Sequence, residues 1–239
     1  MKKYRFQIFL FWFLFASGIL SFFGVFYLAS VGYFGDMPDF RQLENPKTNF
    51  ASEIISSDNK VLGKYYFNDN RTPIEYEEIN PETINALIAI EDERFYSHPG
   101  IDLKATLRAI VFLNQRGGAS TITQQLAKNL FLTPERSFTR KLHELILSFW
   151  LEMRFSKEQI LSIYLNRVYL GSGTYGVQAA SEKYFNKKVE DLSLYESAVI
   201  ASLLKAPSKY NPIANFELSK KRASLVLNNM AKNNMISIK

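Results

Sequence analysis

The 239 residues contain no cysteine and only two histidines, His98 and His143. Without a thiol there is no disulfide, no thiolate metal ligand and no cysteine nucleophile. That absence is compatible with an oxidising compartment but does not by itself place the chain in one. Two histidines without a recognisable ligand spacing are too few for a zinc site. No internal repeat or low-complexity tract is present, which excludes a solenoid and a tail of biased composition. Residues 8–31 also lack every Lys, Arg, Asp and Glu. That gap is the first positive signal.

An α-helix over these 24 residues runs roughly 36 Å and can cross a bilayer with some tilt. A cleaved secretory signal is the other reading, but the run exceeds a typical signal core and no convincing small-x-small site follows it. Lys2, Lys3 and Arg5 precede the span while Asp36 and Asp39 follow it, so the short tail is expected to stay cytoplasmic. Everything after about residue 34 then lies outside the inner membrane. The net charge of +6 suits anionic headgroups and phosphates in that setting, rather than nucleic acid. Hydrophobic residues make up 47% of the chain and charged residues 22%, enough for one sizeable packed domain beside the anchor.

Residues 35–48 are polar, carry Pro38 and Pro46, and read as a linker. Two apolar-rich runs then flank Ser57-Asp58-Asn59 and predict a β-hairpin. Ser57-Asp58-Asn59-Lys60 fits a Ser-x-x-Lys acylation pattern, but no Lys-Thr-Gly partner exists, so the match is treated as chance. From residue 80 the pattern turns helical. Asn80-Pro81 is a helix start, Ser156 with Gln159 and Ser193 with Glu196 form capping boxes, and Pro207 and Pro212 close the helix beginning near Leu194. The predicted organisation is a tail over 1–7, a transmembrane helix over 8–31, a linker with hairpin over 32–78, and a mainly α domain over 79–239.

Residues 91–144 place two acids around a block of hydroxyl, amide and cationic side chains. Glu91 continues the apolar stripe of Ile84, Leu87 and Ile88, with Phe95 one turn later if the helix continues. A carboxylate there either lines a cleft, where partial burial suits a general base, or sits at a fraying end in water. Ser120 is expected to cap a helix through Thr123 to Leu130, with Thr121, Gln125 and Lys128 on one face. That row fits sugar hydroxyls and phosphate oxygens, or an ordinary solvated face. A third helix buries Leu142, Leu145, Ile146, Phe149, Trp150 and Met153, and sets Arg140 and Lys141 within reach of Glu144. Two acids in unlike surroundings suit divided acid/base roles, while a surface ion-pair ladder is the plainer alternative. His98, before Pro99-Gly100, reads as a loop organiser.

Five ordered motifs resemble the peptidoglycan glycosyltransferases, glycosyltransferase family 51, of monofunctional transglycosylases and the front of class A penicillin-binding proteins. They are Glu91-Asp92-x-x-Phe95-x-x-His98-x-Gly100; Gly118-x-Ser120-Thr121-Ile122-Thr123-Gln124-Gln125-Leu126-x-Lys128-Asn129; Arg140-Lys141-x-x-Glu144; Lys157-x-x-Ile160-Leu161-x-x-Tyr164-Leu165-Asn166; and Arg222-x-x-x-Val226-Leu227. The resemblance implies a lysozyme-like helical fold with a membrane-embedded small lobe. It implies that Glu91 deprotonates the 4-hydroxyl of a lipid-linked disaccharide-pentapeptide (lipid II). That hydroxyl then attacks the anomeric carbon of a lipid-linked glycan chain with inversion. Lys128, Arg136, Arg140 and Lys141 would meet the departing undecaprenyl diphosphate, with Glu144 positioning groups there, through a divalent cation (magnesium or manganese) in one version. Asp92, Phe95, His98, Thr121 and Gln125 would shape or support the cleft, and Ser120, Gln124 and Asn129 fall in the same substrate-binding motif. No organic cofactor is implied.

Residues 45–78 resemble the start of the bifunctional class A proteins, and the last residues resemble a chain stopping after the transferase domain. A fragment, a truncated gene and a naturally short enzyme remain open, and in none of them is peptide cross-linking expected. Other cell-wall synthesis proteins are the expected partners. Two other functions stay open: a lysozyme-like wall hydrolase, and a non-catalytic membrane-anchored wall-binding scaffold.

Overall fold

The structure, a computed structural model, describes residues 4–33, 52–58, 61–65, 70–112, 119–132 and 137–237. The linker expected over 35–48, the hairpin-turn residues Asn59 and Lys60, Gly117 and Gly118, and Arg136 lie outside the described residues.

Helix α1 (Arg5–Ser30) is the expected apolar helix and is long enough to cross a membrane. Near its C-terminal end Val25 and Phe26 pack on Leu142 and Ile146. The predicted hairpin is present as β1 (Ser52–Ile55) against β2 (Val61–Tyr65), antiparallel, with Ser52 opposite Tyr65 and an irregularity between Ile54 and Ile55. A second small sheet was not foreseen. Strand β3 (Asn70–Arg71) runs parallel to β5 (Thr174–Tyr175), which pairs antiparallel with β4 (Tyr169–Gly171). These strands are two or three residues long, too short for side-chain alternation to announce them.

The remainder is helical: α2 (Pro81–Glu91), α3 (Leu103–Val111), α4 (Ile122–Phe131), α5 (Phe138–Arg154), α6 (Lys157–Arg167), α7 (Val177–Phe185), α8 (Leu194–Leu203) and α9 (Phe216–Lys232). Helix α2 is the axis. Asn80 accepts the Glu82 amide at 2.8 Å and Pro81 supplies the fixed φ of the first turn, so the helix starts where the sequence placed it. One face sends Ile84, Leu87 and Ile88 into the main core with Leu126, Leu147, Leu161 and Leu165. The opposite face carries Ala86 and Ala89, whose small side chains let α8 and α9 approach through Ala198, Ala201, Ala223 and Val226. Truncating Leu87 to alanine would cost about 2–5 kcal/mol at such a site.

Both capping boxes, Ser156 with Gln159 and Ser193 with Glu196, are formed. Two local expectations change. The N-cap of α4 is Thr121 and not Ser120: the Thr121 hydroxyl accepts the Gln124 amide at 3.1 Å while donating to the Gly100 carbonyl at 2.6 Å. These two hydrogen bonds hold the cap one residue later. On α5 the expected Leu142 and Ile146 are buried against α1, Leu145 and Trp150 are half-buried, and Phe149 and Met153 are exposed. The main core meets α5 through Leu147 and Leu151, with Glu144 and Ser148 buried in the same row, while Phe138 stays exposed, as do Leu103, Leu107 and Val111 on α3.

Candidate active site

Helix α2 delivers Glu91 at its last turn, half-buried. The chain then leaves the helix at Asp92, so Phe95 sits in a separate 3₁₀ turn and is fully buried. Gln125, from α4, donates its side-chain amide to Glu91 Oε2 at 2.8 Å. Tyr164, from α6, donates its hydroxyl to Gln125 Oε1 at 2.8 Å. Burial, and then the nearby charge of Glu91, push the Tyr164 phenol well above its ordinary pKa, so it remains a donor. Glu91 Oε1 has no hydrogen bond among the described residues.

Below this row lies a buried support. Asp92 accepts the Ile122 amide at 3.0 Å, placing a carboxylate at the positive end of α4. The Gly100 amide donates to His98 Nδ1 at 3.2 Å, so His98 carries its proton on Nε2 and donates to Asp92 at 2.9 and 3.0 Å. Gly100 has φ +85°, and a Cβ there would meet the Ser148 carbonyl oxygen at 2.8 Å. Only glycine fits this crossing of loop and α5. Lys157 Nζ donates to the His98 carbonyl at 2.7 Å, pairs with Glu152 at 2.8 Å and lies 4.3 Å from the Phe95 ring centroid. Thr123 donates to the same Glu152 at 2.6 Å. His98 is thus the loop organiser expected, and Phe95 supports the loop from within the core.

The second acid differs. Glu144 is 3% exposed and accepts from the Arg140 guanidinium and from Lys141 Nζ, the latter at 2.7 Å. Lys141 also reaches Ser120 Oγ at 3.0 Å and Gln124 Oε1 at 3.3 Å. The pair is therefore neither a surface ladder nor an open carboxylate. Nor do these residues fit a divalent cation. Both Glu144 oxygens are already bonded to cations, and among the described residues no group of three His, Asp or Glu converges.

A cleft of about 400 Å³ joins these parts, with Glu91, Asp92, Ser120 and Thr121 on its wall. Lys141 is one hydrogen bond behind Ser120, so the acid and the cation pair flank the same N-terminus of α4. Lys128 and Asn129 lie exposed further along α4 and do not line this cleft. Arg94, Asp102, Arg108 and Asn229 do line it and were not singled out from sequence. Arg94 binds Asp102 at 2.7 and 2.9 Å. Burial opposes ionisation of Asp102, yet the Ala105 amide and Arg94 outweigh it and hold its carboxyl below the usual range. Asp102 also accepts the Ala105 amide at 2.9 Å, an i to i+3 cap spacing that was readable in advance. Tyr164 was quoted only as part of a motif.

The family model described as Transglycosylase matches residues 58–231. Penicillin-binding protein 1A of Neisseria flavescens is 42% identical over 220 residues, covering 90% of this chain and 27% of that protein. Its namesake from Pseudomonas aeruginosa is 40% identical over 218 residues, covering 90% and 26%. The crystal structure of penicillin-binding protein 1A from Haemophilus influenzae aligns at 25% identity and a TM-score of 0.43, over 80% of this chain and 19% of that one. The chain spans about a quarter of the length of the curated relatives it matches. With its five motifs, mainly helical lysozyme-like domain and matched span, the chain belongs to the transglycosylase family, the peptidoglycan glycosyltransferases.

Proposed function

We propose that this chain polymerises lipid-linked disaccharide-pentapeptide (lipid II) into glycan strands, with Glu91 as the general base. Glu91 takes the proton of the acceptor 4-hydroxyl through its open Oε1. The freed oxygen forms a bond to the donor's anomeric carbon, and the bond to phosphate breaks with its electron pair leaving on undecaprenyl diphosphate. Arg140 and Lys141 offset the charge of that leaving group, and Glu144 positions both. The N-terminal helix anchors the chain in the bacterial inner membrane, with the catalytic domain on the outer side, where other cell-wall synthesis proteins are its partners.

The observation that carries this reading is a half-buried carboxylate with a neutral amide partner and a free oxygen, lining a cleft whose wall is backed by Lys141. Incubation with labelled lipid-linked precursor tests it. Wild type should lengthen glycan and release lipid diphosphate, and Glu91→Gln should not. Shortening of finished glycan would indicate a hydrolase. Wall binding that is untouched in Glu91→Gln, without any turnover by wild type, would indicate a scaffold.

A further inference from the structure

Tyr164 is among the most deeply buried large side chains in the molecule, 1% exposed, in a core of Leu, Ile and Phe. Its ring needs no further explanation. Its hydroxyl does, because taking a phenol O–H out of water is costly unless it gains a partner. The partner is Gln125 Oε1 at 2.8 Å, and the other end of that carboxamide holds Glu91. We infer that Tyr164 is a positioning residue for the transfer reaction, fixing the orientation of the Gln125 carboxamide so that its N–H, rather than its carbonyl, faces Glu91. This inference rests on the reading of Glu91 as the base.

A carboxamide has two faces of opposite character that differ little in shape. With N–H toward Glu91, one carboxylate oxygen accepts from the amide and the second is left for the sugar hydroxyl. With the carbonyl toward Glu91, two acceptors would meet at hydrogen-bond distance unless the carboxyl carried a proton. A protonated Glu91 cannot take another. The arrangement with N–H on Glu91 therefore leaves Gln125 Oε1 pointing at the protein interior, where it needs a donor. Tyr164 supplies one from α6, 39 residues further along the chain. Burial and the charge of Glu91 both oppose ionisation of the phenol, so the hydroxyl keeps its proton and remains a donor.

The test uses the full chain and labelled lipid-linked precursor. Tyr164→Phe keeps the ring and deletes the hydroxyl. It is expected to lower kcat about 10- to 100-fold, part of the roughly 10²–10⁴ that a general base contributes, with KM changed less than about twofold. Tyr184→Phe removes another tyrosine hydroxyl packed near the same core, one that donates to the Leu170 carbonyl, and should leave kcat unchanged. Gln125→Met, which preserves size and removes both amide ends, should match the loss, and the double variant should be no worse than Gln125→Met alone. A folded Tyr164→Phe with wild-type kcat, a loss residing in KM, or multiplying losses in the double variant would overturn the inference. If Tyr164→Phe loses its helical circular dichroism, Gln125→Met decides by itself: full activity there overturns the inference. Should Glu91→Gln polymerise normally, the base reading itself falls. Should Glu91→Gln be dead while folded Tyr164→Phe is fully active, only the role of Tyr164 falls.

Discussion

Glu91 and Glu144 carry the same functional group in opposite company. Glu91 is half-buried, meets one neutral amide and, among the described residues, keeps one oxygen free. Glu144 is almost wholly buried and is bonded to two cations, one at each oxygen. The first arrangement leaves capacity to take a proton. The second uses that capacity to hold Arg140 and Lys141 in place. In the proposed mechanism, partner choice and not residue type separates the reacting group from the positioning one.

The sharpest way to break this contrast is to neutralise each acid in turn. Glu91→Gln should lower the polymerisation rate by about 10²–10⁴-fold with an unchanged melting temperature, as measured with labelled precursor and by calorimetry. Equal damage to stability would mean that Glu91 is structural as well. Glu144→Ala should lower stability as well as rate, because Arg140 and Lys141 lose the carboxylate that holds them. It leaves Arg140 without its partner in a mostly buried setting, costing about 2–4 kcal/mol, the lower side reflecting the partial exposure of Lys141. A drop of several degrees in melting temperature is expected. Thr121→Ala tests the cap that both acids flank. Loss of the Gln124 and Gly100 bonds should cost about 1–2 kcal/mol, read by denaturant unfolding.

The smallest effect concerns His143, next to Glu144 on α5. It is buried, its Nε2 has no partner among the described residues, and burial holds its pKa below the ordinary histidine value. The folded state therefore resists a proton that the unfolded chain accepts, and stability should fall as pH drops below about 6.5. Melting curves at pH 7.5 and 5.5 should draw closer together in His143→Gln. An unchanged gap would assign the acid sensitivity to other groups.

Much of this was legible in the letters. The stripe of Ile84, Leu87 and Ile88 ending on Glu91 needed only the helical period, and the starts at Asn80, Ser156 and Ser193 needed only cap chemistry. The spacing of Arg140, Lys141 and Glu144 announced their contact. It did not announce that the contact is buried, so a surface ladder stayed open. The cap at Thr121 was misplaced by one residue because its second bond, to Gly100, lies 21 residues away. The exposed side of α5 was misjudged at Phe149 and Met153 because apolar letters on a helix do not say which ones the core reaches. Arg94, Arg108 and Asn229 were passed over because no local pattern marks a cleft wall assembled from three helices and two connecting loops.

By itself the sequence determined the apolar anchor, the helix starts, the central stripe and the five motifs that place the chain in its family. Each depends on contacts within about four residues or on composition, which helix geometry converts directly into structure. Tertiary structure alone decided that Gln125 faces Glu91, that Tyr164 stands behind Gln125, and that Lys141 backs Ser120. Those partners lie 34, 39 and 21 residues apart, and only the packing of α2, α4, α5 and α6 around one core brings their polar ends within hydrogen-bond distance.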